Sequence, residues 1–150
     1  MSADSDLIKL YSGQILALAS DMPHTDRLDA PDATVRKRAP LCGSTITVDV
    51  KIQDGKITGY GQDVKACALG QAAASVVGKN IIGSSKAEVE TARDALKAML
   101  KSNGPTPPAP FDGLEVLRAA ADYRNRHASI LLSLEATLEA FDKAEQTACA

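Results

Sequence analysis

The apolar positions change their period along the first half of the chain. In SDLIKLYSGQILALASDMP, Leu7, Ile8, Tyr11, Ile15, Leu18 and Ala19 recur at helical spacing until Pro23, which predicts an amphipathic helix over roughly residues 5–20. Residues 21–40, rich in Asp, Pro and Arg, carry no period and read as a loop or an irregular edge segment. From Thr45 the period drops to two. Ile46, Val48, Val50 and Ile52 alternate with Thr45, Thr47, Asp49 and Lys51, as a strand with one buried face requires. Asp54-Gly55 is a hairpin signal, and the return strand ITGYGQDV carries Gly59 and Gly61, which permit a bulge or a sharp twist.

After Ala68 the pattern is helical. ALGQAAASVVG predicts a short, Ala-rich helix, which puts Cys67 at a strand-to-helix junction. Ser85 and Glu88 form a capping box ahead of an apolar stripe at Val89, Ala92, Leu96 and Leu100, with a stop at Gly104-Pro105. A Pro-rich connector follows over 103–113, then LEVLRAAADY as a short helix. In the last segment Ile130, Leu131, Leu134, Leu138 and Phe141 share one face of a long helix opened by His127. The 150 residues suffice for one domain, 1–150, with its own core.

Composition narrows the possible functions. With 17 basic and 19 acidic residues interspersed, nothing suggests a phosphate-tracking surface, so nucleic acid is not an expected partner. The run VRKRAP at residues 35–40 reads either as a cationic loop that steers an acidic partner or as a solvated loop. Three cysteines, an odd number, without a cationic leader or an apolar span, point to a reducing cytoplasmic setting and to no membrane. At 3% aromatics and no Trp, stacking platforms for bases or flat cofactors are not expected.

The thiols are then free for chemistry. Cys42, in APLCGST, is framed by Pro40 and Gly43 just before the first clear strand. Cys67, in VKACALG, meets the orphan amides of a helix start with Lys65 close by, a setting that favours thiolate. His127 also opens a helix, where the dipole disfavours the imidazolium and leaves a lone pair for a metal. These positions lie 25 and 60 apart in the chain, unlike zinc-finger spacings, so spacing alone does not single out a metal site. Each has a structural alternative: core filler for the two thiols, capping or solvation for His127, and no role for Cys149 beside the C-terminus.

Taken in order, PLCGSTITVDVKIQDGKITGYGQDVKACALGQAAASVV and HASIL resemble the U-type iron-sulfur cluster scaffolds, the family of IscU, SufU and the NifU N-terminal domain. The similarity runs with gaps from about residue 7 to residue 141. It implies an α+β fold, a small antiparallel three-stranded sheet with helices packed on one face, of the SufE/NifU-like kind. It also implies that Cys42, Cys67 and His127 ligate iron, a [2Fe-2S] cluster or zinc. The family's aspartate after Cys-Gly is Ser44 here, and the cysteine following its histidine is Ala128. A [2Fe-2S] cluster takes four ligands, so the fourth would come from a second subunit, a partner thiol, glutathione or Asp63. Two thiolates and an imidazole equally suit zinc with one open position. The resemblance thus implies a scaffold or carrier without turnover of its own, serving a cysteine desulfurase and cluster-accepting proteins. The alternative is a zinc-binding SufU-like sulfur acceptor or desulfurase regulator. The place of the family's chaperone-binding Leu-Pro-Pro-Val-Lys is AADYRN, so no standard chaperone contact is expected.

Overall fold

A computed structural model describes residues 13–40 and 43–148. Leu7, Ile8 and Tyr11 of the predicted first helix, together with Cys42 and Cys149, lie outside the described residues. The elements are α1 (Gly13–Ser20), β1 (Ala33–Arg38), β2 (Thr45–Gln53), β3 (Lys56–Lys65), α2 (Ala68–Asn80), α3 (Lys86–Ser102), a 3-10 helix (Asp112–Ala120), a 3-10 turn (Arg124–Arg126) and α4 (His127–Ala148). The three strands form one antiparallel sheet in the order β1-β2-β3. The chain has the α+β architecture expected.

Local chemistry accounts for most boundaries. Asp54 and Gly55 both take positive φ, 54° and 77°, the conformation that lets a two-residue turn match the twist of its strands. Ser85 accepts from the Glu88 amide while the Glu88 carboxylate accepts from the Ser85 amide, so two orphan donors of α3 are satisfied reciprocally. At its other end Asn103, rather than Gly104, adopts the left-handed cap with φ 52°. The register shifts between Lys51 and Ile52, so β3 carries a bulge beside Gly59.

Ile46, Val48 and Val50 turn one face of the sheet inward. Helix α4 lies across β1 and β2, and α2 contacts β3. Helix α1 packs on α2, and α3 on α4. The stripe Ile130, Leu131, Leu134, Leu138 and Phe141 is buried as its spacing predicts. Between helix and sheet, Tyr60 and Thr137 sit 3.1 Å apart, and Thr137 donates to the Ser133 carbonyl at 2.7 Å. The Tyr60 hydroxyl is therefore the donor to Thr137, and burial pushes its pKa up to about 12.

Two features depart from the sequence reading. Residues 33–38 form an edge strand, not an irregular segment, because β2 supplies the pairing partner for a stretch whose own alternation is obscured by Arg36, Lys37 and Arg38. Asp49, expected on a solvated face, is fully buried. Residues 26–28 cross that outer face: Arg27 donates to the carboxylate through Nε at 2.5 Å and Nη2 at 3.0 Å, the Leu28 amide at 3.1 Å and Thr34 Oγ1 at 2.6 Å. Opposite Asp49 stands Gly61, where a Cβ would come 2.6 Å from the Asp26 carbonyl oxygen. Its role is to admit this crossing segment.

Burial alone would push the Asp49 pKa up, but hydrogen bonds from Arg27, Thr34 and Leu28 and the Arg27 charge hold it below the ordinary carboxylate value. A lowered folded pKa contributes stability above the unfolded value of about 3.9 and loses it as pH falls through the folded value. Denaturant midpoints should therefore drop as pH goes below about 4. Asp49→Asn should be about 2 kcal/mol less stable at neutral pH and show a shallower acid limb in urea titrations. Gly61→Ala should cost about 2 kcal/mol by urea unfolding, since the obstructing atom is backbone.

Candidate functional site

Three chain segments end close together. The turn from β1 to β2 is closed by Gly43 N–H donating to Ala39 O at 3.0 Å and Ala39 N–H donating to Ser44 O at 2.8 Å. Gly43 takes φ 69°, a conformation that costs a side chain little only when it is absent. Cys42 belongs to this turn in sequence and lies outside the described residues.

Cys67 is the N-cap residue of α2, half-buried, with extended backbone. This is the strand-to-helix junction the sequence predicts. Its Sγ lies 3.7 Å from Ser129 Oγ, and Ser129 Oγ lies 2.9 Å from Ser44 Oγ. Both serines are buried. A thiolate can only accept, so with Cys67 ionised Ser129 donates to the sulfur and Ser44 donates to Ser129, a two-hydroxyl chain that supplies one proton to the sulfur's side. Gly70, one turn into α2, makes this approach possible: a Cβ there would collide with Ser129 Oγ and come 2.9 Å from Ala66 Cβ. Sequence reading did not single out Gly70, although a glycine inside an Ala-rich helix is a sign of close approach.

His127 opens α4 two residues before Ser129 and is 7% exposed. Its Nε2 lies 2.9 Å from the Ala121 carbonyl at the end of the 3-10 helix. A carbonyl only accepts, so Nε2 carries a proton, and in the neutral form of the ring the lone pair is on Nδ1. This is the arrangement by which metal-ligating histidines are oriented, one nitrogen held by a carbonyl and the other left for the metal. The same hydrogen bond also closes the end of the 3-10 helix, a structural role in its own right.

Cys67 and the start of α4 are thus brought together through Ser129. Asp63 is not: it is exposed on the outer sheet face opposite Thr47. Among the described residues no three His, Cys, Asp or Glu side chains gather as a metal-holding group. Nor is any described helix long and apolar enough to cross a membrane.

Beside His127 opens a groove of about 780 Å³ between the end of β1, the last turns of α3 and the start of α4. The VRKRAP run contributes Lys37 and Arg38 to its wall as the end of a strand, not as a loop. Lys37 pairs with Glu139 at 3.0 Å. The other basic residues there, Lys97, Lys101 and Arg124, come from distant parts of the chain, and no local signal in the sequence announces their meeting.

The tautomer can be read directly. Long-range 15N–1H correlation spectra of neutral His127 should show the proton on Nε2; a proton on Nδ1 would exclude the orientation described.

Residues 10–129 match the family described as NifU-like N terminal domain. Among solved structures, the chain is similar to a nitrogen-fixing NifU-like protein (N-terminal) from Brucella abortus, with 40% identity over 94% of this chain and 98% of that one, at TM-score 0.90. A structure described only as a hypothetical protein matches at 24% identity over 90% and 98%, TM-score 0.80. A third, assigned as an iron-sulfur cluster assembly scaffold for the SUF system of Fervidobacterium islandicum AW-1, shares the fold at 18% identity over 89% and 98%, TM-score 0.77. None of the curated proteins matches the chain. With the family matching most of its length and a 40% identical structure superposing on nearly all of it, the chain belongs to the NifU-like N-terminal domain family.

Proposed function

We propose that this protein is a single-domain cytoplasmic scaffold or carrier that holds iron or a [2Fe-2S] cluster as cargo through Cys42, Cys67 and His127, without catalysing turnover. In this reading it works with a cysteine desulfurase as the source of sulfur and passes its cargo to cluster-accepting proteins. The observation that carries the reading is the meeting of Cys67 Sγ with the first turn of α4, whose opening histidine has Nε2 tied to a carbonyl and Nδ1 left as donor. Family membership gives the assembly role its support.

The donor set is short of one soft ligand. Ser44 and Ser129 place hydroxyls near the sulfur, and hydroxyls are hard donors that hold iron or zinc poorly unless ionised. Cluster binding through this chain alone would leave one iron position for an external thiolate. The same count favours a second reading. Two thiolates and an imidazole are a three-donor zinc site with an open place, suited to a sulfur acceptor or regulator of a desulfurase.

Anaerobic reconstitution with iron and sulfide decides between them. The first reading expects labile sulfide and iron in equal amounts with [2Fe-2S] absorption, abolished by Cys42→Ser, Cys67→Ser or His127→Ala. Stoichiometric zinc in protein purified without added metal, with no cluster formed, would transfer the conclusion to the second reading. Substitutions without effect on either metal would overturn both.

A further inference from the structure

We propose that the groove beside His127 docks an acidic segment of a partner protein, one in which carboxylate side chains flank apolar ones. The docking is independent of any metal at the site.

The groove lies where a pattern of pairing between two helices stops. Helices α3 and α4 run antiparallel, and at two levels a cation of α3 meets an acid of α4: Lys86 with Asp142 at 2.6 Å and Arg93 with Glu135 at 3.3 Å. Each further turn of α3 repeats the cation, as Lys97 and then Lys101. Helix α4 does not answer them, because HASILLSL, residues 127–134, contains no acid. The same register sets Lys97 level with Leu131 and Lys101 level with His127, and all four residues line the groove. The two lysines stand four apart, on one helix face, where like charges repel and weaken a helix. No ion pair among the described residues offsets that repulsion.

Helix α4 packs against both α3 and β1, so it makes the floor of the groove and the other two make its banks. Arg38, at the end of β1, and Arg124, in the 3-10 turn before α4, add a cation to the far bank and one to the end. Like the lysines, they are exposed and make no ion pair among the described residues. Of the other charged residues lining the groove, Lys37 is held by Glu139 at 3.0 Å and Glu135 by Arg93. The floor is apolar, formed by Ala39, Ala128, Leu131 and Leu132.

Charge complementarity selects the occupant. The two lysines lie about 6 Å apart along α3, with arginines on the far bank and at the end, a spread too wide for one small acid to match. A peptide chain with acids along both sides can meet them all. The apolar floor adds a demand for side chains between those acids that remove it from water. Nucleic acid brings its anions without such side chains, and the groove has no aromatic residue on which a base could stack. Because His127 and Ala128 line the groove, the docked segment lies at the mouth of the site.

The test is fluorescence anisotropy with a labelled synthetic peptide in which glutamates flank leucines, and with two relatives, one carrying glutamine for glutamate and one serine for leucine. The parent peptide should bind at low salt and lose affinity as salt rises toward about 1 M, where the screening length is about 3 Å. Either relative should bind about tenfold or more weakly. K97E/K101E, or K97Q/K101Q if the reversal fails to fold, should weaken the parent about tenfold or more. K51E, which reverses an exposed charge outside the groove, should leave binding nearly unchanged. No binding, binding undiminished in both lysine variants, an equal loss in K51E, or a serine relative that binds as well as the parent would each overturn the proposal. So would citrate displacing the peptide at a lower concentration than the peptide itself requires, which would make the groove a small-acid site. A concentration-dependent dimer in sedimentation that K97Q/K101Q abolishes would overturn it too, making a second copy of this chain the occupant. None of these readouts involves metal or sulfide, so a failure here leaves the scaffold reading standing.

Discussion

The contact on which the site depends is between a missing side chain and a hydroxyl. Gly70 in α2 faces Ser129 in α4 so closely that no Cβ fits between them. Helices carrying larger residues at the crossing stand further apart, at 8–10 Å between axes depending on side chains. Here the start of α2 is drawn in until the Cys67 sulfur at its N-terminus meets Ser129 in the first turn of α4. The hydroxyl that fills the space is not inert packing: it links Cys67 to Ser44 and so ties the β1–β2 turn to both helices. One small residue thereby lets three segments that already share the core meet through a chain of side chains at their ends.

How much of this was legible follows from the range over which each cause acts. The Asp54-Gly55 turn, the Ser85–Glu88 box and the N-cap position of Cys67 are set by residues within a turn of one another, and each emerges where its local chemistry puts it. Strand β1 is different, because ATVRKR becomes a strand only by pairing with β2. The burial of Asp49 has its cause 22 residues earlier, in Arg27. The Gly70–Ser129 contact spans 59 positions. Long-range causes of this kind leave single-residue traces, a glycine in a helix or a carboxylate in an apolar alternation, that can be interpreted only once the partner is known. The resemblance carried the site residues further than spacing could, since it supplied their order and not merely their types.

Charge is unevenly arranged for a chain so nearly neutral. Acidic side chains on the flank of α4 are spent on pairs with Lys37, Lys86 and Arg93, while Arg38, Lys97, Lys101 and Arg124 around His127 make no ion pair among the described residues. Those cations put a local positive field at the start of that helix, on a chain whose net charge is -2. Anions approaching at random would be guided to the end where that helix begins.

The edges of the sheet add a constraint on how any other protein can approach. An exposed edge strand is ordinarily an invitation for a visiting strand to extend the sheet. Along β3 the outward amide of Gln62 is already taken by the His24 carbonyl. Along β1 the outward carbonyl of Thr34 is taken by Lys143 Nζ at 2.8 Å, reached from α4. With backbone partners occupied on both flanks, recognition by strand addition is blocked at these points, and visitors are left with helix ends, turns and side-chain surfaces. Those are the parts of the fold that can let go of a partner without breaking a ladder of hydrogen bonds, as the proposed carrier role requires.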